Sequence, residues 1–470
     1  MWVLISSAVV VTIYAAAAIS AYQAAATART PQGAVGWVVF LALAPFLAVP
    51  AYLFLGHHRM RGYLVARHEA QRVVEAIRDF GLRLAPEDGV LSREIGPLEH
   101  CAKLPVVRGN GARVLIDGPD AFQAIFQAID AAEHYVLVQF YIVRDDGLGQ
   151  QLQQHLLAAA ARGVRVLFMT DAVGSLGLKE PYYAALRDAG VQVVDPRKSR
   201  GPRHRFQINY RNHRKTVIVD GHVGFTGGLN VGDEYLGKDP AFGHWRDTHI
   251  RLTGPMVTQL QLIFVEDWHW ATDETQFEHL HWTPHADPDG INGLIVATGP
   301  ADSTETGSLM FFSAISEARR RIWISSPYFV PDIAVLTALC HAARSGVDVR
   351  LVVPDMADHR MPWLAAFSYF DDVLEAGVRV YRYRDGFLHQ KAFVVDDDMV
   401  GIGTTNLDNR SFRLNFETMA VLFDTDLAAQ VDTMLRADMG ASVEMTRRLA
   451  DQPPQIRYAA PVARLFSPLL

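Results

Sequence analysis

Two long apolar stretches without charged side chains open the chain. Residues 3–22 form the first, and residues 34–55 form a second run rich in Val, Leu, Phe and Ala. A helix needs about 20 apolar residues to cross the hydrocarbon core of a bilayer. The pattern therefore predicts two transmembrane helices within residues 1–56, the second of them kinked by Pro45 and Pro50.

Charge on either side of these stretches predicts their orientation. The loop between them carries only Arg29, whereas Arg59, Arg61 and Arg67 follow the second stretch. By the positive-inside rule, the rest of the chain lies in the cytoplasm of a multi-pass membrane protein. A cleaved signal peptide is the less favoured reading, because the start lacks Lys and Arg and a second span follows at once.

The remainder of the chain repeats itself. AARGVRVLF at 160–168 corresponds to AARSGVDVRLV at 342–352, each a helix end that runs through Gly into an apolar strand. Strands that alternate with helices predict an α/β protein whose two halves each have a parallel-rich sheet covered by helices. The expected organisation is a juxtamembrane linker at 57–105, a first half at 106–272 and a second half at 273–470.

Composition excludes several kinds of protein. The 470 residues carry a net charge of -7, which argues against a protein that wraps nucleic acid. Cys101 and Cys340 are far apart and predict neither a disulfide framework nor a cysteine metal site. The sequence contains no HExxH motif or paired acidic ladder, so neither a metal nor a cofactor is predicted.

Each half carries the same polar motif, in NHRKTVIVDGHVGFTGGLN and LHQKAFVVDDDMVGIGTTN. In both, Lys follows His by two positions, Asp follows Lys by five, and Asn follows Asp by ten. Two copies with identical spacing are a specific signal, whereas one HxK would be an ordinary surface pair. The candidate residues are His213, Lys215, Asp220, Gly228 and Asn230 in the first copy, and His389, Lys391, Asp396, Thr404 and Asn406 in the second.

These residue types indicate phosphoryl chemistry. On a strand, His and Lys two positions apart share a face, whereas Asp220 and Asp396 fall on the opposite face and are expected to support the turn. Lys supplies positive charge, the Gly-containing step lets backbone approach an anion, and the Asn amide can donate to a phosphoryl oxygen. One imidazole can attack phosphorus while another protonates the leaving alkoxide, so the two halves are expected to share one site.

The duplicated motif resembles that of the phospholipase D superfamily. The flanking sequences INYRNHRK, FTGGLNVGDEYLG, SSPYFVPD and TTNLDNRSFRLNFE are similar to those of bacterial cardiolipin synthases of the inner membrane. The resemblance implies two phospholipase D-like halves around a shared site that condenses two phosphatidylglycerol molecules into cardiolipin and glycerol without a cofactor. It also implies that His213 is the nucleophile, that His389 is the acid and base, and that Asp220 and Asp396 belong to the catalytic motif.

Further roles follow from the same resemblance. The family places an acidic residue downstream to orient each histidine, and here Asp247 lies 34 residues after His213 and Glu417 lies 28 residues after His389. The resemblance therefore implies that Asp247 is the partner of His213 and Glu417 that of His389. Gly228 and Thr404 stand where the family commonly has serine, so a hydroxyl contact with phosphate is changed. The basic insert PRKSRGPRHR, at 196–205, either contacts anionic headgroups or is a solvated loop.

Two other functions stay open from the sequence alone. A phospholipase D hydrolase would use water as the acceptor and release phosphatidic acid, and a catalytically inactive scaffold would only bind lipid. The expected partners are an anionic phospholipid and the bilayer rather than nucleic acid. The motif leaves open whether the second substrate is phosphatidylglycerol or phosphatidylethanolamine, and it predicts no oligomeric state.

Overall fold

The computed structural model describes residues 2–28, 31–56, 84–86, 93–194, 210–274, 276–302 and 304–470. The chain folds into two units, an N-terminal helical unit and an α/β body. The basic insert at 196–205, the three arginines that set the predicted orientation and most of the predicted linker lie outside the described residues.

The described part of the N-terminal unit contains three helices, α1 (Trp2–Thr27), α2 (Pro31–Leu43) and α3 (Pro45–Leu55). The second apolar stretch, predicted as a proline-kinked helix over residues 34–55, is divided into α2 and α3. Ala44, at φ -138° and ψ 58°, separates α2 from α3, because a residue before proline is disfavoured in the helical region and Pro45 has no N–H to donate. Among the described residues, Ser7–Thr27 of α1 is the one helical stretch long and apolar enough to cross a membrane by itself.

Small and aromatic side chains hold the three helices together. Ala17 and Ala24 of α1 pack with Leu41, Ala48 and Tyr52 of the other two helices. Small residues let helix backbones approach closely, which is typical of packing within lipid. The outward faces remain apolar, and Leu43 is 81% exposed while Leu47 is 71% exposed.

The body is built from helices and strands that alternate along the chain. Its helices are α4 (Gly96–Ala102), α5 (Asp117–Asp130), α6 (Gly147–Ala161), α7 (Glu180–Asp188), α8 (Pro255–Thr272), α9 (Thr306–Glu317), α10 (Ile333–Arg344), α11 (Arg360–Ala376), α12 (Asn409–Arg413), α13 (Thr425–Gly440) and α14 (Pro454–Arg464). The strands of the first half are β1 (Val107–Ile116), β2 (Tyr135–Phe140), β3 (Arg165–Thr170), β4 (Gln192–Val194), β5 (Arg211–Asn212), β6 (Thr216–Val219), β7 (Val223–Gly227), β8 (Trp245–Arg246) and β9 (Thr248–Thr253). Those of the second half are β10 (Ile291–Thr298), β11 (Arg321–Ser325), β12 (Phe329–Val330), β13 (Asp348–Pro354), β14 (Arg379–Tyr383), β15 (Phe387–Leu388), β16 (Ala392–Val395), β17 (Met399–Gly403), β18 (Leu407–Asp408), β19 (Asn415–Phe423) and β20 (Ser442–Glu444).

One large sheet runs through both halves. Its strand order is β20-β14-β13-β11-β16-β17-β19-β10-β1-β9-β7-β6-β2-β3-β4. The two halves meet where β1 pairs antiparallel with β10, and the order of strands outward from this junction is the same on both sides. The structure thus confirms the predicted two-repeat α/β fold.

The prediction of a parallel-rich sheet is wrong for the middle of this sheet. Along this order, parallel pairs occur only among the outer strands, β2-β3-β4 in the first half and β11-β13-β14 in the second. Off this order, the two-residue strand β5 pairs in parallel with β19. Between the two outer groups the strands are antiparallel, because the motif strands β6 and β16 each continue through a tight turn into the neighbouring strand. A βαβ crossover makes parallel neighbours and a hairpin makes antiparallel ones, so each half contains both.

Helices cover both faces of the sheet. Residues of α8 and α13 fill one apolar layer that spans both halves, with Leu260 and Phe264 of α8 and Val431 and Leu435 of α13 fully buried. The other face of the first half is covered by α5, α6 and α7. The corresponding face of the second half is covered by α4, α9, α10, α11 and α14. The central antiparallel strands are therefore held between two layers, and they carry the polar motifs.

Candidate active site

A two-residue strand positions the first motif histidine. The strand β5, immediately before His213, pairs in parallel with the start of β19 in the second half. The backbone N–H of His213 then donates to the carbonyl oxygen of Phe416 at 2.9 Å. Because Phe416 precedes Glu417, this pairing brings the first motif against a carboxylate of the other half.

The second motif histidine is positioned in the same way. The strand β15, immediately before His389, pairs in parallel with β8 of the first half. The backbone N–H of His389 donates to the carbonyl oxygen of Arg246 at 2.8 Å, which places the imidazole next to Asp247. In each motif, the backbone just before the histidine and the histidine N–H itself therefore pair with a strand of the opposite half.

The expectation that each histidine pairs with the downstream carboxylate of its own half is wrong, because the two histidine–carboxylate pairs are exchanged between the halves. His213 Nδ1 lies 2.8 Å from Glu417 Oε2, and His389 Nδ1 lies 2.8 Å from Asp247 Oδ2. All four side chains are buried. A carboxylate at Nδ1 holds that nitrogen in its protonated tautomer, so Nε2 is left as the reactive atom of the neutral ring.

Burial keeps both imidazoles neutral at neutral pH. It lowers the pKa of His213 to about 4, against a smaller opposing effect of Glu417. It also lowers the pKa of His389 to about 4, and the neighbouring charge of Lys391 acts in the same direction. Burial alone raises the pKa of the Asp247 carboxyl, but the contacts with His389 and the charge of Lys391 bring it below its ordinary value. Each site therefore holds a neutral base beside a carboxylate anion.

Glu417 is fixed by hydroxyl and amide groups of its own half. Its Oε2 accepts from the Thr404 hydroxyl at 2.6 Å, in addition to His213. Its Oε1 accepts from the Ser411 hydroxyl at 2.9 Å and from Asn415 Nδ2 at 3.1 Å. The Thr404 hydroxyl therefore helps to fix the Glu417 carboxylate.

Gly228 stands at the equivalent place in the first half for a steric reason. A Cβ atom at Gly228 would lie 1.9 Å from Asp247 Oδ1. Asp247 instead accepts from the backbone N–H of Thr248 at 2.8 Å, and Trp245 Nε1 lies 3.4 Å from its other oxygen. Because Gly228 has no side chain, the Asp247 carboxylate, which is one methylene shorter than that of Glu417, can occupy this space.

The motif lysines are buried next to these pairs and do not line the cavity. Lys215 Nζ donates to the carbonyl oxygen of His213 at 2.7 Å, and Lys391 Nζ donates to that of His389. Burial lowers the pKa of Lys391 to about 8 and that of Lys215 well below its ordinary value, although the carboxylates oppose the shift. Both amino groups are thus held by the backbone of the motif histidines.

A cavity of about 380 Å³ joins the two histidines. The motif asparagines line it as well. Asn230 accepts from the backbone N–H of Ile142 at 3.1 Å and donates to the Tyr235 hydroxyl at 3.1 Å. The backbone N–H of Asn406 donates to the Ser411 hydroxyl at 3.2 Å, which fixes its backbone at the cavity wall. The structure thus brings His213, His389, Asn230 and Asn406 to one space.

The motif aspartates lie away from that space. Asp220 accepts from the backbone N–H groups of residues 133, 134 and 135, at 2.7 to 2.9 Å. Asp396 does the same for residues 319, 320 and 321, at 2.8 to 3.1 Å. Both adopt left-handed backbone at φ 53° and 48°. Each aspartate fixes the turn before the strand that pairs with its motif strand, as strand alternation predicts. Their assignment to the catalytic motif stays a prediction.

Several cavity residues were not singled out from the sequence. They are Tyr141, Arg211, Tyr328, Asp358, Arg410 and Asn415. The ring of Tyr141 lies 4.9 Å from that of His213, and Tyr328 donates its hydroxyl proton to Asp358. The 187-residue repeat offset that relates Tyr141 to Tyr328 was the available signal for the aromatic pair. Arg211 and Arg410 lie in sequences that flank the two motifs, but no repeated spacing in the sequence indicates them.

Comparison with known proteins agrees with this geometry. The family model described as "Cardiolipin synthase, PLD-like domain" matches residues 125–268 and 311–439. The chain is similar in fold to the crystal structure of a phosphatidylserine synthase from Haemophilus influenzae Rd KW20, with a TM-score of 0.61 and 16% sequence identity. That likeness covers 80% of this chain and 99% of the other.

Curated relatives match along nearly the whole length. Cardiolipin synthase A of Pseudomonas aeruginosa (strain LESB58) is 46% identical over 462 residues, which are 96% of this chain and 94% of the relative. Cardiolipin synthase A of Pseudomonas putida (strain W619) is 44% identical over 461 residues, which are 96% of each chain. The chain therefore belongs to the cardiolipin synthase family of the phospholipase D superfamily.

Proposed function

We propose that this enzyme joins two phosphatidylglycerol molecules to give cardiolipin and glycerol, through a phosphatidyl-histidine intermediate. The observation that carries the proposal is the pair of histidine–carboxylate contacts, each formed across the two halves, at the wall of one cavity. Phosphatidyl transfer by double displacement needs one nucleophile and one acid–base group on either side of a phosphate.

The first displacement makes the intermediate. Neutral His213, the nucleophile that the resemblance implies, attacks phosphorus through Nε2, and the bond from phosphorus to the glycerol oxygen breaks. His389 gives its proton to that oxygen, so glycerol leaves as a neutral alcohol. His389 has a lowered pKa in the empty cavity, and a bound phosphate anion raises it by stabilising the imidazolium.

The second displacement makes the product. The primary hydroxyl of a second phosphatidylglycerol gives its proton to His389, and its oxygen attacks phosphorus as the phosphorus–nitrogen bond breaks. His213 is released as the neutral base with which the cycle began. Glu417 and Asp247 keep each ring oriented and stabilise its charged form during these transfers. Lys215, Lys391 and the two motif asparagines oppose the negative charge that develops on phosphoryl oxygens.

We extend the proposal to the membrane and to the division of the chain. The apolar faces of α2 and α3 support a kinked second span over residues 34–55, and the arginines that follow place the body in the cytoplasm by charge. The end of α8 at Thr272 supports a boundary between halves 106–272 and 273–470. Protease added to inverted inner-membrane vesicles should cut a cytoplasmic body, and full protection of the body would contradict this orientation.

Lipid analysis of the purified full-length protein tests the reaction. In detergent with phosphatidylglycerol, we expect cardiolipin and free glycerol in equal amounts, measured by mass spectrometry and an enzymatic glycerol assay. His213→Ala and His389→Ala should each lower the rate by about 10³-fold or more, because each removes a group used in both steps. His285→Ala, on an exposed loop residue, serves as the matched control.

Three outcomes would contradict the proposal. Phosphatidic acid as the sole product would identify a hydrolase. Binding of lipid without turnover would identify a scaffold. Full activity in either histidine variant would exclude the two-histidine mechanism.

A further inference from the structure

The proposed substrates are lipids whose acyl chains stay in the bilayer, so their phosphates lie at the level of the headgroups. The cavity receives such a phosphate most directly if its mouth meets the membrane surface. A protein surface that lies on an anionic bilayer carries apolar side chains that enter the headgroup layer and basic side chains beside them. The rim of this cavity carries both.

Helix α14 has apolar side chains on two opposite faces. Ala460 and Ala463 are buried in the core of the second half. Tyr458, Val462 and Leu465 follow one another at helical spacing on the opposite face, and Leu465, just after the last helical residue, keeps helical backbone angles. Tyr458 is 68% exposed and Leu465 is 78% exposed. One apolar face is enough to join a core, so the second face suits another apolar environment.

The residues that follow α14 connect this exposed face to the cavity. Phe466 and Leu469 are exposed apolar side chains, and Leu469 also lines the cavity. The segment is fixed to the body, because the Tyr369 hydroxyl donates to the Ser467 hydroxyl at 2.8 Å. The carbonyl oxygen of Leu469 accepts from Arg410 Nη1 at 3.0 Å. The exposed apolar surface is therefore continuous with the cavity wall.

A loop of the first half adds apolar surface next to the same cavity. Residues 171–178 follow β3, and the Ser175 hydroxyl donates to the carbonyl oxygen of Tyr141 at 3.0 Å. Tyr141 in turn lines the cavity. In this loop Leu176 is 72% exposed, and Val173 is exposed as well. Exposed apolar side chains of both halves therefore lie next to residues of the cavity wall.

Basic side chains flank the exposed face of α14. Arg457 and Arg464 are seven positions apart on one side of the helix, and both are exposed. The Arg457 guanidinium lies 5.2 Å from the centre of the Tyr458 ring. Arg464 Nη2 lies 3.8 Å from Asp372 Oδ2, and solvent screens this half-exposed pair. Residues 446–470 contain four arginines and one aspartate, so the charge of this segment is complementary to an anionic membrane.

We propose that the exposed face of α14, residues 465–469 and the loop 171–178 lie in the headgroup layer of an anionic bilayer and seat the cavity mouth on it. The inference rests on the proposed function, because it takes a lipid to be the substrate. Two observations assign the bilayer to this surface, namely its continuity with the cavity and its basic flank. Docking in this way presents headgroups to the histidines while the acyl chains stay in the membrane.

Two forms of the substrate separate docking from chemistry. The full-length protein is assayed in vesicles that contain long-chain phosphatidylglycerol, and in detergent with short-chain phosphatidylglycerol that is monomeric in water. The double variant Leu465→Glu, Phe466→Glu should lower cardiolipin formation in vesicles about 5- to 30-fold, because charged side chains oppose entry into the headgroup layer. With the short-chain substrate its activity should stay within about twofold, because both histidines are intact. Val443→Glu, on an exposed valine of the edge strand β20, is the matched control and should stay within about twofold in both assays.

A fluorescent label gives a readout that is independent of catalysis. A polarity-sensitive fluorophore is attached through Leu465→Cys, in a background that carries Cys101→Ala and Cys340→Ala. In vesicles its emission should shift to shorter wavelength, and spin-labelled phosphatidylcholine should quench it. The same fluorophore attached through Val443→Cys should show neither effect.

Equal losses with both substrates, at an unchanged melting temperature, would overturn the docking surface, and so would undiminished activity of the double variant in vesicles. A wavelength shift without quenching by the spin-labelled lipid would also overturn it, because a second copy of the chain would then cover this face. Failure of the unmodified enzyme to form cardiolipin from either substrate would instead overturn the proposed function, while quenching at position 465 would still test docking. If the double variant does not fold, Leu465→Gln carries the same comparison.

Discussion

The two halves of the body contribute equivalent reacting groups. His213 and His389 each lie 2.8 Å from a buried carboxylate of the opposite half, and burial lowers the pKa of both to about 4. Each motif lysine donates to the carbonyl oxygen of its own histidine. The proposed double displacement requires two histidines, and the duplication supplies one from each half of the same fold.

The halves differ in how each carboxylate is held. Glu417 is long and accepts from side chains, among them the Thr404 hydroxyl. Asp247 is one methylene shorter, and Gly228 leaves the space that a side chain would take from it. The length of the carboxylate and the size of the facing residue therefore compensate each other. Equal histidine geometry is reached by two different local solutions.

The largest expected effect comes from neutralising the carboxylates. Glu417→Gln and Asp247→Asn should each lower kcat by about 10² to 10⁴-fold. A neutral amide does not stabilise the imidazolium or the Nδ1-protonated tautomer of the neutral ring as a carboxylate does. Rates of cardiolipin formation at saturating phosphatidylglycerol measure this. Asp239→Asn, in the loop after β7, is the control.

Equal losses in the two variants would support equivalent halves. A difference greater than about tenfold would show that one imidazole depends more on its carboxylate than the other. Unchanged kcat in both variants would contradict the orienting role.

A smaller effect should come from exchanging the residues that face the carboxylates. Gly228→Ala places a methyl group against Asp247 Oδ1, and so displaces the partner of His389. We expect kcat to fall about tenfold or more, since small misplacements of catalytic groups are costly. Thr404→Ser keeps the hydroxyl that binds Glu417 and should stay within about threefold. Equal kcat values for Gly228→Ala and Thr404→Ser, at equal melting temperature, would contradict this explanation of the glycine.

The meeting of His213 and His389 at one cavity could be predicted from the sequence, because the motif that contains them repeats at fixed spacing. Strand alternation also separated Asp220 and Asp396 from the histidines, and the structure places both aspartates on backbone N–H groups of turns. The exchange of carboxylates between halves could not be predicted. It depends on β5 and β15, which are two residues long, and so short a strand has no periodic pattern to reveal its partner.

Other differences between prediction and structure have similar causes. The sequence predicts a parallel-rich sheet, whereas the hairpins after the motif strands make the centre of the sheet antiparallel. The spacing between predicted strands does not specify which strands pair. Pro45 divides the second apolar stretch into two helices, although the stretch is apolar on both sides of the proline.

The last prediction concerns pH and stability, and it tests whether the two imidazoles are equally buried. A histidine with an unfolded pKa near 6.5 and a folded pKa near 4 binds its proton more readily in the unfolded state. Between these values each histidine should lower the free energy of unfolding by about 1.4 kcal/mol per unit as the pH falls, and the effect should be absent above about pH 7.

The melting temperature of the purified protein, followed from pH 7.5 to 4.5, measures this pH dependence. Other groups titrate in the same range, so the informative quantity is the difference between the unmodified enzyme and variants that lack one or both imidazoles. His213→Asn and His389→Asn should each remove about half of the difference seen in the double variant, because Asn can still donate to the carboxylate but does not titrate. A single variant that removes all of it would show that only one imidazole is held neutral by burial, and the equivalence of the two halves would then stop at their geometry.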